Sequence, residues 1–266
     1  MISVIRGGMT AALQDLDVTT NNIANASTTG FKKREASFAD MYNSTSAMGV
    51  GSHVGGGVLT TEMRVMNSQG NLRQTGDVLD LAVEGQGLFA VRDDTQPNQT
   101  FYTRDGSFSV DSAGEIATNE GFKVLSAAGM PITVPARAAG FVMQDGSSVS
   151  VDLALTNVAI QPNGQVAATY GTDTVVNVGK VGLATFVDPN RLTPIGANLF
   201  RENAQSGVGD LGAALVDGRG KVHSGALEMS NTDMTSEMAK LIRAQQAFSG
   251  TSRMLQAESE MIKKFV

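Results

Sequence analysis

The sequence predicts an α+β protein: N- and C-terminal helices paired as a coiled coil, an extended arm, and an inserted antiparallel β-rich domain. Three observations predict it. Apolar residues recur at seven-residue steps at both ends: Ile2, Met9, Leu16 and Ile23 in the first stretch, and Met234, Leu241, Phe248, Leu255 and Ile262 in the last. That step is close to two helical turns, so each set lies along one side of a helix. From Asp77 the period switches to two, as in half-buried strands. Glycine is abundant, with 30 residues, and aromatics make up only 5%, which suits turn-rich β structure better than a deep ligand pocket.

The first helix is expected from Ser3 to about Ala26. Gly7 and Gly8 each weaken it by roughly 1 kcal/mol relative to Ala. Asn21, Asn22 and Asn25 crowd its last turns, where Asn suits a helix end. Ser27-Thr28-Thr29-Gly30 breaks it, and Phe31 is an apolar anchor after the break. Lys32, Lys33 and Arg34 read equally as a small anion contact or as a solvated face, because three charges are too few to separate the two. The neighbouring seam positions are weaker: Ile5, Ala12 and Thr19 at one end, Met238, Gln245, Ser252 and Ser259 at the other. Helices with such narrow stripes are marginal alone, so the two ends are expected to pair with each other and then with copies of themselves.

Glu35–Met48 reads as one helical turn or an extended arm. Gly49–Gly57 carries five glycines in nine residues and is expected to be a flexible loop. Val58–Met66 alternates weakly, as a long strand would. Leu79, Leu81 and Val83 then alternate with Asp80, Ala82 and Glu84, and Leu88–Val91 follows a turn at Gly85-Gln86-Gly87. Asp105-Gly106 between Phe101–Arg104 and Ser107–Val110 is a strong hairpin signal. Short strands and Gly or Asn turns recur to Val187, pointing to a sandwich or barrel. Leu192–Gly220 reads as irregular. Ser230 or Thr232 is expected to cap the last helix. The chain thus divides into a discontinuous helical domain over residues 1–33 and 230–266, an arm over 34–75 and a β-rich domain over 76–229.

Composition excludes several classes. Net charge is −6 with no basic block, so nucleic acid is not an expected partner. There is no Cys, hence no disulfide and no thiolate zinc site. No run is long and apolar enough for membrane insertion. The N-terminus lacks a continuous apolar core and a cleavage site, so the chain is expected in the cytoplasm or exported with its N-terminus uncut.

Chemistry-bearing motifs are equally sparse. Gly85-Gln86-Gly87-Leu88-Phe89-Ala90 matches a dinucleotide fingerprint in letters. That chemistry needs a helix whose N-terminal amides hold the pyrophosphate, and a strand pattern follows here. His53 and His223 have no second ligand one helical turn away, so no metal site is expected. No G-x-S-x-G elbow is present. Asp105 is better explained as a turn residue than as an acid catalyst. The N-x-S/T triplets at Asn25, Asn43 and Asn98 are read as bare. The 13 methionines suggest a promiscuous groove or, for Met234 and Met238 on the heptad stripe, ordinary packing. No catalytic residue, metal ligand or cofactor is therefore expected. The residues expected to matter pack subunits: Ile2, Met9, Leu16, Ile23, Phe31, Met234, Met238, Leu241, Phe248, Leu255 and Ile262.

Four stretches resemble one family, the axial rod and hook proteins of the bacterial flagellum. Asn21-Asn22-Ile23-Ala24-Asn25 with Thr28-Thr29-Gly30-Phe31-Lys32 resembles its N-terminal signature. Gln69-Gly70-Asn71-Leu72, Thr75-Gly76 and Leu79–Val83 resemble the entry to its β domain. Tyr102–Phe108 with Asp111 and Gly114 resembles its hairpin, and Gly225–Glu228, Ser230-Asn231, Glu237-Met238, Ile242 and Gln245–Phe248 resemble its C-terminal signature. Gln246 and Phe248 depart from the family's usual Arg and Tyr. The resemblance implies paired terminal helices forming an inner tube, an arm and an outer β domain. It implies no enzymatic activity, type III export with an uncleaved N-terminus, and a helical homopolymer in the periplasm-spanning rod that passes motor torque to hook and filament. Implied partners are copies of itself, other rod and hook subunits, the rings around the rod, and the export apparatus. Among family members it favours the distal rod, then the proximal rod, then a short hook protein. The alternative of a different class is a secreted β-domain protein that oligomerises through terminal helices.

Overall fold

A computed structural model describes residues 2–43, 54–61, 63–96, 99–144, 147–171 and 174–265. The protein is α+β, with a helix near each end and strands between. Its contacts divide it into two units: Met1–Ser27, Lys32–Met66 and Thr232–Val266 in one, Thr28–Phe31 and Asn67–Asn231 in the other.

The helical unit holds α1 (Ile2–Ala24), four strands and α2 (Met234–Phe265). Asp233, not Ser230 or Thr232, caps α2: its carboxylate accepts from the Thr235 amide at 3.1 Å, satisfying a helix-start donor. The strands are β1 (Arg34–Glu35), β2 (Phe38–Asn43), β3 (Val54–Thr60) and β4 (Arg64–Val65). β2 and β3 pair antiparallel, as do β1 and β4. The stretch expected as an extended arm therefore carries paired strands over part of its length. The glycine loop expected over Gly49–Gly57 is overturned in part, since Val54–Gly57 belongs to β3. Residues 49–53, with His53, lie outside the described residues.

The other unit is β apart from a short 3-10 turn at Pro189–Arg191. Among the described residues it contains a nine-stranded sheet around Leu88–Arg92 and a four-stranded antiparallel sheet ordered 137–144, 147–160, 165–170 and 174–180. Leu81, Val83, Phe89, Val91, Phe108, Ile116, Val124, Val166, Tyr170 and Leu183 form its core. The Phe89 and Phe108 rings meet edge-to-face at 5.1 Å. Tyr170 is buried with its hydroxyl donating to the Pro135 carbonyl at 2.7 Å, so burial leaves no polar group stranded. Leu192–Gly220, expected to be irregular, contributes short strands at Thr193–Gly196, Leu199–Arg201 and Asp210–Ala213.

The Asp105-Gly106 hairpin does not form. Thr100–Thr103 pairs with Leu88–Arg92 and Leu199–Arg201, while Phe108–Val110 pairs with Ile116–Thr118. Asp105-Gly106 is instead a corner. The Asp105 carboxylate accepts from the Ser107 amide and hydroxyl at 3.1 and 2.8 Å, and the Gly106 carbonyl accepts from the Leu81 amide at 2.9 Å. A Cβ at Gly106 would land on the Leu81 carbonyl, so the contact requires glycine.

Candidate subunit-packing surface

α1 and α2 run antiparallel. Asn22 near the end of α1 bonds to Glu237 at the start of α2, and Gly8 near the start of α1 faces Thr251, well along α2. On α2 the residues turned inward are Glu237, Leu241, Ala244, Phe248, Thr251 and Leu255, buried or half-buried. They alternate steps of four and three, the spacing of a heptad seam. On α1, Ala12, Val18, Thr19 and Asn22 are buried.

Where Gly8 faces Thr251 the side chains are small, which lets the helices approach there. A Cβ at Gly8 would meet Thr251 Cγ2 at 3.6 Å, an ordinary contact. On another side of α1, a Cβ at Gly7 would press on the Val58 carbonyl at 3.3 Å. The glycines that weaken α1 as an isolated helix thus face β3 and α2.

The expected packing residues separate into groups. Met9, Leu16, Ile23, Leu241, Phe248 and Leu255 are half-buried, and Phe31 is buried as part of the β unit. Met234, Met238 and Ile262 are exposed within one chain. The side chain of Ile2 lies outside the described residues. The secondary seam follows expectation on α1, where Ala12 and Thr19 are buried and Ile5 is half-buried. On α2 it differs in part: Glu237 and Ala244 turn inward in place of Met238 and Gln245, while Ser252 is half-buried like Thr251.

A polar lock crosses this pair. The Asn22 side-chain carbonyl accepts from the Arg34 amide at 2.9 Å, and its amide nitrogen donates to the Arg34 carbonyl at 2.8 Å and to Glu237 Oε2 at 3.1 Å. Asn22 therefore acts as a strand partner for Arg34 while bonding α2. Lys240 Nζ donates to Glu237 Oε1 at 2.9 Å and stands 3.5 Å from Glu35 Oε1. Burial works against the Lys240 charge, but the hydrogen bond and charge of Glu237, with Glu35, outweigh it and raise the ammonium above its ordinary range. These groups border a cleft of about 320 Å³ that also touches Asp15 and Thr19. Of the basic trio, Lys33 lies 3.7 Å from Glu35, an ordinary surface pair.

The β unit carries a second buried lock. Arg104 Nε bonds Glu228 Oε2 at 2.6 Å, with side-chain exposures of 6% and 0%. Arg104 also donates to the carbonyls of Val83 at 2.8 Å, Gly85 at 2.7 Å and Gly87. The Glu228 Oε1 accepts from the Gly70 amide at 2.8 Å, and the Glu228 carbonyl accepts from the Gly30 amide at 2.8 Å. Gln69 bonds Val83 and Gly85 from the other side. The Gly85-Gln86-Gly87 turn is thus an arginine receptor leading into a strand, not a phosphate cradle opening a helix. Sequence reasoning named Arg104 and Glu228 only as motif letters. Nothing local to either marks a partner 124 positions away.

Segments far apart in sequence meet here: Gly30, Gln69-Gly70, Val83–Gly87, Arg104 and Glu228. The family model described as Flagella basal body rod protein matches residues 2–32, the Flagellar hook protein FlgE/F/G D1 domain matches 82–168, and the Flagellar basal body rod FlgEFG protein C-terminal matches 223–266. The chain is 33% identical to the flagellar basal-body rod protein FlgG of Bacillus subtilis, over 97% of this chain and 95% of the relative. The chain belongs to the flagellar rod and hook family. A second rod relative, FlgG of Borreliella burgdorferi, is 32% identical over 96% of this chain and 93% of its own length. The flagellar hook protein FlgE of Brucella suis is 24% identical over 97% of this chain and 96% of its own length, and the alignment needs 385 positions. The hook protein therefore carries long insertions relative to this rod-family chain of 266 residues, and the similarity favours rod over hook.

Proposed function

We propose that this chain polymerises as a helical shaft, its paired terminal helices forming a coiled-coil inner layer that passes motor torque toward the hook. It is a structural subunit of the flagellar basal-body rod and resides there; near-full-length similarity to rod proteins carries that reading. It is not an enzyme, in keeping with a family of structural proteins. The distal rod is its place among rod subunits, with rod and hook subunits, surrounding ring proteins and the type III export apparatus as partners. The packing residues act in two ways. Leu241, Phe248 and Leu255 join the helices within one copy, and residues left exposed, such as Met234, Met238 and Ile262, meet other copies.

Physical logic supports a shaft. Repeated heterologous contacts that do not close into a ring generate a filament. Narrow helix seams of small and polar residues hold weakly alone and gain by stacking. The test is Leu241→Asp in cells that make this chain. Rods should stop extending, while the isolated variant keeps its β-sheet circular dichroism. Normal rods in this background overturn the proposal, and loss of the β signal shows the helical boundary to be misplaced.

A further inference from the structure

Apart from Ile262, which follows the seam side, the exposed large apolar residues of α2 fall into two patches on opposite sides of the helix. Met234, Met238 and Ile242 follow one another at steps of four and are 40%, 49% and 54% exposed. Met254 and Met261 are 61% and 53% exposed, on the flank that also carries Ala247 and Gly250. From Met238 to Met254 an α-helix turns by about 160° and advances about 24 Å. The seam residues Leu241, Ala244, Phe248, Thr251 and Leu255 run between the two patches, so neither patch is used against α1.

Each patch is discrete. Further along the first flank the helix shows Gln245, Ser249, Ser252 and Gln256, and earlier on the second it shows Ser236 and Arg243. One helix thus carries an apolar patch on one side at its start and another on the opposite side toward its end.

We propose that the Met234–Met238–Ile242 patch of one copy seats on the Met254–Met261 patch of the next. The inference rests on the rod-subunit reading and specifies which surfaces join copies. The occupant is a second copy for two reasons. Joining unlike patches on opposite sides leaves one of each free at the ends of any stack, so growth stays open. Three half-exposed side chains also present only roughly 300 Å², far below the 800 Å² or so per partner of a stable pair. Such a contact holds when repeated through an array and not in an isolated dimer. Methionine is suited to it, because its unbranched side chain adapts to imperfectly matched surfaces.

The chain has no cysteine, so pairs can be mapped by disulfide trapping. Full-length Met238→Cys and Met254→Cys copies are co-produced, and basal bodies are isolated and mildly oxidised. Mixed disulfide dimers should form at least tenfold above either variant alone. Equal yield from Met238→Cys alone overturns the proposal in favour of like-with-like packing. Absence of any trapped dimer in fully assembled rods overturns it while leaving the rod reading intact. Absence of the unsubstituted chain from isolated rods defeats the rod reading itself. As a second measure, Met238→Glu/Ile242→Glu and Met254→Glu/Met261→Glu should each stop rod extension with helical content unchanged. Extension by either at the rate of the unsubstituted chain overturns the assignment.

Discussion

Replacing Glu228 by Gln should destabilise the β unit by about 3–5 kcal/mol, the cost of removing one partner from a buried ion pair. Glu228 is the only carboxylate bonded to Arg104 among the described contacts, and both side chains are nearly or wholly withdrawn from water. Gln preserves shape and leaves an oxygen for the Gly70 amide, so packing changes little. What it removes is the charge opposite a guanidinium that then has only the carbonyls of Val83, Gly85 and Gly87. For a unit of this size each kcal/mol moves the midpoint by about 2–4 °C, so the melting temperature should fall by roughly 6–20 °C. Thermal unfolding of the full chain, followed by β-sheet circular dichroism, reads this directly. Arg104→Met should cost more, because it takes a donor from the Gly85 and Gly87 carbonyls as well as from Glu228, while Val83 keeps its bond from Gln69. The pair Arg104→Met/Glu228→Leu should be less destabilising than the sum of the single changes, since no charge is left buried. A Glu228→Gln variant within about 1 kcal/mol of the parent would refute the lock, because the desolvated charge would then not depend on its partner.

Four further outcomes follow from other contacts. Ala244→Leu, at a buried seam position, should overpack the helix pair and cost about 1–3 kcal/mol in helix melting, with the β signal unchanged. Gly30→Ala should cost more than about 1 kcal/mol, because Gly30 has φ +66° and a Cβ there would strike the Asp105 backbone. The hydrogen bond from His223, and then its charge, hold the Glu84 carboxyl below its ordinary value of 4.5. Its stabilisation is therefore present above that value and lost as pH falls through the folded one, so Glu84→Gln should flatten melting temperature against pH on the acid side. Lys240 is shifted the other way: its stabilisation is complete below 10.5 and lost as pH rises through the raised folded value. Lys240→Gln should remove that alkaline dependence from helix melting.

Much was legible in the sequence because it is written in short-range periodicity. Seven-residue steps of apolar residues made Ile2–Ala24 and Met234–Phe265 helices, since residues three and four apart share a face whatever else the chain does. The two-residue period after Asp77 and the Gly and Asn turns made the middle β for the same local reason. The motif letters around Asn22, Gly70, Arg104 and Glu228 were enough for kinship.

Tertiary structure alone decided which surfaces meet. Glu237 is buried while Met238 faces out, although Met is the more apolar, because Glu237 finds Asn22 on α1. Asp105-Gly106 carries the letters of a hairpin but forms a corner, because Arg104 reaches Glu228 and Gly106 lies against Leu81. Asn22 for Glu237, Glu228 for Arg104 and Leu81 for Gly106 each lie more than twenty positions away, and a local window cannot contain them. Periodicity determined the two helices and the main run of strands; long-range charge pairing and close backbone contact determined where they go.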